Sequence, residues 1–220
     1  TQLMAEILYI RVGSQVQDEI SWLIFSSAEQ DIIASGELIN AEQLSELTEK
    51  AQQRLVKVFV PACDVLLKRL TVPTKSQRAM RSAVPYMLED ELAQDVEQLF
   101  FAYGNLKHDA HGNNCFIAAV TREQLELWQS WLSAADIKCK VMIPDVLAMP
   151  VTDEQCSVVV FAEQVLLRQS LWQGLVIDVN TWPLVAAKLF QPDEDMEQEA
   201  PQINSYSPLP DSDQLNSTQL

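Results

Sequence analysis

The chain has 220 residues, 48% of them apolar, and 31 acidic against 15 basic side chains give a formal net charge of −16. That apolar share excludes wholesale disorder and suffices for one large domain or two to three small ones. The acidic excess would repel phosphate backbones, and no basic stripe with interleaved aromatics is present, so nucleic acid is not an expected partner.

In chain order, Leu3–Val12 is the first strand candidate, closed by Gly13 and Ser14. Ile20–Phe25 and Asp31–Leu38 follow at hairpin spacing around S-S-A-E-Q. Asn40 caps a predicted helix through about Gln53, with Leu44, Leu47 and Ala51 on one face. Leu55–Val60 reads as a buried strand stopped by Pro61, and Val65–Val72 as another. A short helix is expected from Ser76 to Val84.

Val84–Leu99 (VPYMLEDELAQDVEQL) predicts an acidic amphipathic helix. Pro85 suits its first turn, and Leu88, Leu92, Val96 and Leu99 recur on one face. Glu89, Asp90, Glu91, Asp95 and Glu97 surround that stripe, with Lys68, Arg69, Lys75, Arg78 and Arg81 just before it. A charged outer side fits a plain core-facing helix; it also fits a docking surface for a basic partner.

Gln98–Leu106 and Asn114–Thr121 read as strands joined by the polar turn H-D-A-H-G-N-N. Thr121 caps a helix to Ala134 with Leu125, Trp128 and Leu132 inward. Ile137–Ile143 is a strand ended by Pro144, and Pro144–Pro150 a crossover. Ser157–Ala162, Val165–Gln169 and Gly174–Val179 then precede a helix from Asn180 or Thr181 to Phe190. Strands followed by a helix echo the opening, which suggests an internal duplication. Residues 191–220 hold seven acids, no Lys or Arg and four Pro, the composition of a disordered or loosely docked tail that Ile203, Tyr206 and Leu209 could anchor.

Chemistry-bearing patterns are sparse. Cys63, Cys115, Cys139 and Cys156 form no C-x-x-C pair and read as small buried hydrophobes of a reducing compartment. His108 and His111 share the polar turn without a cluster to complete a metal site. The five glycines are isolated, so no phosphate loop or nucleophile elbow exists. Asp145 and Asp178 lie near strand ends; Asp178 is expected to cap beside Asn180. The expectation is no catalytic residue, no cofactor, no metal and no enzyme activity. No apolar run reaches the length of a membrane span, and the N-terminus lacks both a signal-peptide pattern and an initiator Met, as in a processed or trimmed chain.

V-P-Y-M-L-E-D-E-L-A-Q-D-V (Val84–Val96) resembles the P-Y-x-L-E-[DE]-x-L-A-x-D signature of the type II secretion system protein L family (GspL/EpsL), in a vibrio-like form. I-P-D-V-L-A-M-P (Ile143–Pro150) resembles that family's L-P-D-x-L-A-x-P, and I-S-W-L-I-F and I-I-A-S-G-E fit in order. The resemblance covers roughly residues 5 to 190. It implies a β-rich α/β fold of actin-like, RNase-H-like lobes: residues 1–95 as an N-terminal lobe, 96–144 as a small β-β-α-β subdomain, 145–190 as a C-terminal lobe, and 191–220 as a tail towards an absent transmembrane segment.

It also implies a non-catalytic scaffold on the cytoplasmic face of the bacterial inner membrane, which recruits the secretion ATPase (protein E) through that enzyme's N-terminal domain. The family self-associates as a homodimer and pairs with protein M mainly through regions outside this chain. Glu89, Asp90, Glu91, Asp95 and Glu97 are the expected partner-binding residues, with residues 157 to 190 as another location. The alternative is an actin-like nucleotide-binding protein with weak or no ATPase activity, against which stands R-V-G-S (Arg11–Ser14), lacking the carboxylate and paired glycines of a D-x-G loop.

Overall fold

The computed structural model describes residues 6–92, 94–104, 107–109, 112–151, 155–189 and 202–209. The chain forms two units, divided between Asp145 and Val146.

The first unit opens with strands β1 (Glu6–Arg11), β2 (Ile20–Ser26) and β3 (Asp31–Leu38), an antiparallel meander. The Asn40 side chain accepts from Glu42 N–H and starts a helical segment, but its first part is the tighter 3₁₀ form (Ala41–Leu47) and only Thr48–Gln52 is α-helix, α1. Strand β4 (Leu55–Val60) returns parallel to β1, with Ile10 beside Val58. These strands, with the short β9 (Met142–Pro144) against β4, make a five-stranded sheet in the order β3-β2-β1-β4-β9.

Strand alternation puts Leu8, Ile10, Val56 and Val58 on one face. Leu44 and Leu47 pack there together with Trp128 and Leu132 of helix α3 (Arg122–Ala134). Each large side chain so buried contributes roughly 1.5–3 kcal/mol. Thr121 caps α3 by accepting from Gln124 N–H. Trp131 joins its buried stripe, and Ile137 is buried in the loop that follows rather than in a strand.

A second sheet in this unit comprises β5 (Leu66–Val72), β6 (Leu99–Tyr103), β7 (Lys107–Asp109) and β8 (Gly112–Thr121); β5, β6 and β7 all pair antiparallel with β8. Helix α2 (Gln77–Leu88) covers it through Met80, Val84 and Leu88. The block 96–144 is therefore shared out between two sheets: β6 and β7 pair with β8, which pairs with β5 from before the block, while α3 and β9 build the first sheet's layers. The ten-residue β8 explains this, because it spans the small sheet and runs directly into α3.

The second unit holds β10 (Gln155–Phe161), β11 (Gln164–Arg168) and β12 (Gly174–Asp178), then α4 (Trp182–Leu189) and β13 (Gln202–Ser205). The sheet order is β12-β11-β10-β13, with β13 parallel to β10. Meander, helix and parallel return repeat the connectivity of β1 to β4, the expected duplication. Val158, Val165, Leu167 and Ile177 pack against Trp182 and Ala186. Part of the expected loose tail is thus a strand, because its backbone pairs with β10 and Leu209 packs against this core. Among the described residues, no helix is long and apolar enough to cross a membrane.

Candidate functional site

The acidic segment does not form the single helix its periodicity predicts. The helix starts at Ser76, whose side chain accepts from Ala79 N–H, and Pro85 sits inside it rather than in its first turn. After Leu88 the chain tightens into a 3₁₀ turn, Glu89–Glu91, and later a second, Val96–Gln98. Leu88 and Leu92 still reach the core under α2, while Leu99 is buried as the first residue of β6. The spacing therefore marked Leu88, Leu92 and Leu99 as inward while the backbone changed form beneath them, and left Val96 half-buried on the second turn.

All five acids are exposed, three on the first turn and Asp95 and Glu97 at the second. Two already have structural work. Glu91 pairs with Lys68 of β5, and Asp95 accepts from Glu97 N–H at 3.0 Å, capping the second turn. Arg122 Nε donates to the Glu97 carbonyl, which ties this turn to the start of α3. Beside the acids, the end of α2 presents Tyr86, 73% exposed, together with Met87. Opposite charge around an exposed aromatic suits a partner that brings cations and an apolar contact.

The loop after β1 is where the nucleotide alternative would need its anion-binding backbone. Gly13 is packed so closely against Asp18 that an added Cβ would lie 2.2 Å from the Asp18 Cβ. The Asp18 carboxylate accepts Gln15 N–H at 2.8 Å, so a loop amide that could meet a phosphate already faces an anion. From α3, Trp128 Nε1 donates to the Gly13 carbonyl and Gln124 Nε2 to that of Ser14, both at 2.9 Å. The Ser14 hydroxyl donates to Asp64. Burial pushes the Asp64 carboxyl above its ordinary range against the Ser14 hydrogen bond, and Asp18 and Asp145 push the same way.

Asp145, buried, accepts from Arg11 Nε at 3.0 Å, lies 2.8 Å from a terminal guanidinium nitrogen, and takes Ala62 N–H on its other oxygen. One carboxylate thereby joins the end of β1 to the turn after β4. An arginine inside the otherwise apolar I-L-Y-I-R-V (Ile7–Val12) is the one sequence signal for this pair.

The remaining candidates separate cleanly. Asp178 accepts from Asn180 N–H at 2.8 Å, a capping role. His111 lies outside the described residues, and the backbone of His108 is in β7. Cys115 and Cys156 are buried, and burial raises their thiols, but Cys63 is exposed, contrary to the buried expectation, because it occupies the turn after Pro61. Among the described residues no three metal-ligating side chains converge.

The family model for "Type II secretion system (T2SS), protein L" matches residues 8–219. This chain belongs to the type II secretion system protein L family. Protein L of Vibrio cholerae serotype O1 is 31% identical over 208 residues, 94% of this chain and 49% of that protein. The Klebsiella pneumoniae protein L is 31% identical over 207 residues, 94% of this chain and 48% of that one. The chain thus spans about half the length of these protein L relatives.

Among solved structures, the cytoplasmic domain of EpsL, an inner-membrane component of the Vibrio cholerae type II secretion system, aligns with a TM-score of 0.82 at 32% identity. That alignment covers 93% of this chain and 83% of the other. The PilM–PilN type IV pilus biogenesis complex aligns with a TM-score of 0.58 at 14% identity, over 84% and 66% of the two chains. The second likeness concerns fold alone. This chain has the strand-rich, actin-like α/β fold that the family resemblance implied.

Proposed function

We propose that this chain is a non-catalytic scaffold on the cytoplasmic face of the inner membrane, recruiting the secretion ATPase by binding that enzyme's N-terminal domain. The observation that carries this reading is the near full-length likeness to a cytoplasmic domain of an inner-membrane secretion component. The loop after β1 supports the non-catalytic part, since carboxylates line the place where phosphates would have to sit. The contact surface is the acidic pair of turns, with Glu89, Asp90, Glu91, Asp95 and Glu97 around Tyr86. The scaffold also self-associates as a homodimer, and it meets protein M through regions beyond this chain.

Isothermal titration against the N-terminal domain of the cognate ATPase, at low and at high salt, tests the proposal. Binding that weakens with salt supports the acidic surface. Salt-independent binding keeps the scaffold role and moves its surface, and no binding by the folded chain removes the role. Thermal melting with and without Mg-ATP tests the nucleotide alternative, because a ligand of the folded state must raise the midpoint. The expected shift is none.

A further inference from the structure

The duplicated connectivity ends differently in its two occurrences. In the first unit only residues 53–54 link α1 to β4, whereas residues 190–201 link α4 to β13. Strand β4 is paired on both sides and buries Val56, Val58 and Val60. Strand β13 is an edge strand with all four residues exposed, and its one apolar side chain, Ile203, is 39% exposed. Its attachment is mostly backbone: the parallel ladder to β10, Tyr206 N–H to the Val158 carbonyl at 2.9 Å, and Val160 N–H to the Ser207 hydroxyl at 2.7 Å. Leu209 adds one apolar anchor.

We propose that the segment 202–209 exchanges between two copies of the chain, β13 of one protomer pairing with β10 of its partner. The acceptor edge needs no alteration, because it already holds this same sequence in register from Gln155 beside Gln202 to Val158 beside Ser205. Exchange therefore conserves every strand contact, and the link decides the balance. A two-residue link compels β4 to return to its own sheet. A twelve-residue link reaches up to about 40 Å. With an effective concentration for the intramolecular strand in the millimolar range, exchange becomes substantial only as the protein concentration approaches that range. Copies held side by side on one assembly would meet that condition.

The proposal deepens the self-association in the reading above, and one substitution tests it. Cys156 stands directly beside Ile203, so Ile203→Cys places two thiols at disulfide spacing. In a Cys63→Ser background, equal amounts of nitrogen-15-labelled and unlabelled chain are mixed, oxidised at about 5 µM and at about 500 µM, and mapped by mass spectrometry. The expected bond joins Cys156 to the introduced cysteine within single chains at the low concentration. At the high one, on the order of a sixth of it joins labelled to unlabelled chains, since random pairing makes only half of the exchanged bonds mixed. A bond that stays isotopically unmixed at both concentrations overturns exchange, and so does a bond that never forms. Sedimentation of the unsubstituted chain separates the two claims: a dimer without mixed bonds keeps self-association and removes exchange, whereas a monomer throughout removes both.

Discussion

The hydroxyl of Tyr103 donates to the carbonyl of Arg81 at 3.2 Å, and this is the carbonyl that the N–H of residue 85 would take in an uninterrupted helix. Residue 85 is proline and has no N–H to give. A side chain from β6 thus supplies what the α2 backbone lacks, and the Arg81 guanidinium lies over the same tyrosine ring at 5.7 Å. Tyr103→Phe should destabilise the protein by about 1 kcal/mol. In a Pro85→Ala background the same change should cost close to nothing, because the restored N–H satisfies the carbonyl. A double-mutant cycle by urea denaturation reads the difference, and additive effects would remove this account.

The Arg11–Asp145 pair makes a second prediction. Arg11→Met leaves a buried carboxylate with Ala62 N–H but without its cation. The expected loss is about 3–5 kcal/mol, with a smaller loss when Asp145→Asn is added. Denaturant midpoints of the two variants check the order.

Arg168 holds the second unit in a comparable way, but through carbonyls. Its buried guanidinium donates to Leu147 and Leu171 at 2.9 Å, to Ser170 at 3.1 Å and to Met149. Burial lowers its ordinary pKa, yet arginine stays charged. A lysine cannot reproduce that planar fork, so Arg168→Lys should cost about 2–4 kcal/mol. Thermal unfolding would show it, and an unchanged midpoint would mean the carbonyls find water instead.

Asp64 sets a pH dependence. Its folded pKa lies above the ordinary 3.8, so the folded state holds its proton more firmly than the unfolded one. Stability from this group is therefore complete below the unfolded pKa and is lost as pH rises through the folded value. Asp64→Asn removes the charge penalty and should raise stability near neutral pH relative to the wild type. That advantage should fade on acidification towards pH 3.8 and below, where both states of the wild type carry the proton. Melting curves across this range decide it, and a pH-independent gain would contradict the sign.

For the acidic turns, Asp90→Lys with Glu97→Lys leaves the Asp95 cap and the Glu91–Lys68 pair in place. The folded double variant should bind the ATPase N-terminal domain more than tenfold more weakly at low salt. Unchanged affinity would take these residues out of the contact.

Elements with local signals were legible in the sequence. Asn40 and Thr121 both cap where expected, since a side-chain acceptor before an apolar period leaves few other conformations. The strand candidates Leu3–Val12, Ile20–Phe25, Asp31–Leu38 and Leu55–Val60 hold β1 to β4. The stretch after Val84 misled because a helix face and a chain of short turns can place the same leucines inward, and Pro85 suited a helix start as well as the interior position that Tyr103 makes tolerable. Strand β13 left no pattern to read, with one apolar residue in Q-I-N-S. The Arg11–Asp145 pair spans 134 residues, a relationship that only tertiary structure creates.

The repeated connectivity also bears on the order of folding. Glu6 and Arg54 are 48 residues apart and Gln155 and Gln202 are 47, so the two parallel closures confine loops of nearly equal length at nearly equal entropic cost. The reward differs: three buried valines for β4, a half-covered isoleucine for β13. The first unit can therefore complete its sheet cooperatively, while the last strand of the second zips on late and reopens first. In native-state hydrogen exchange, the amides of β13 should be among the quickest to trade with solvent and those of β4 among the slowest.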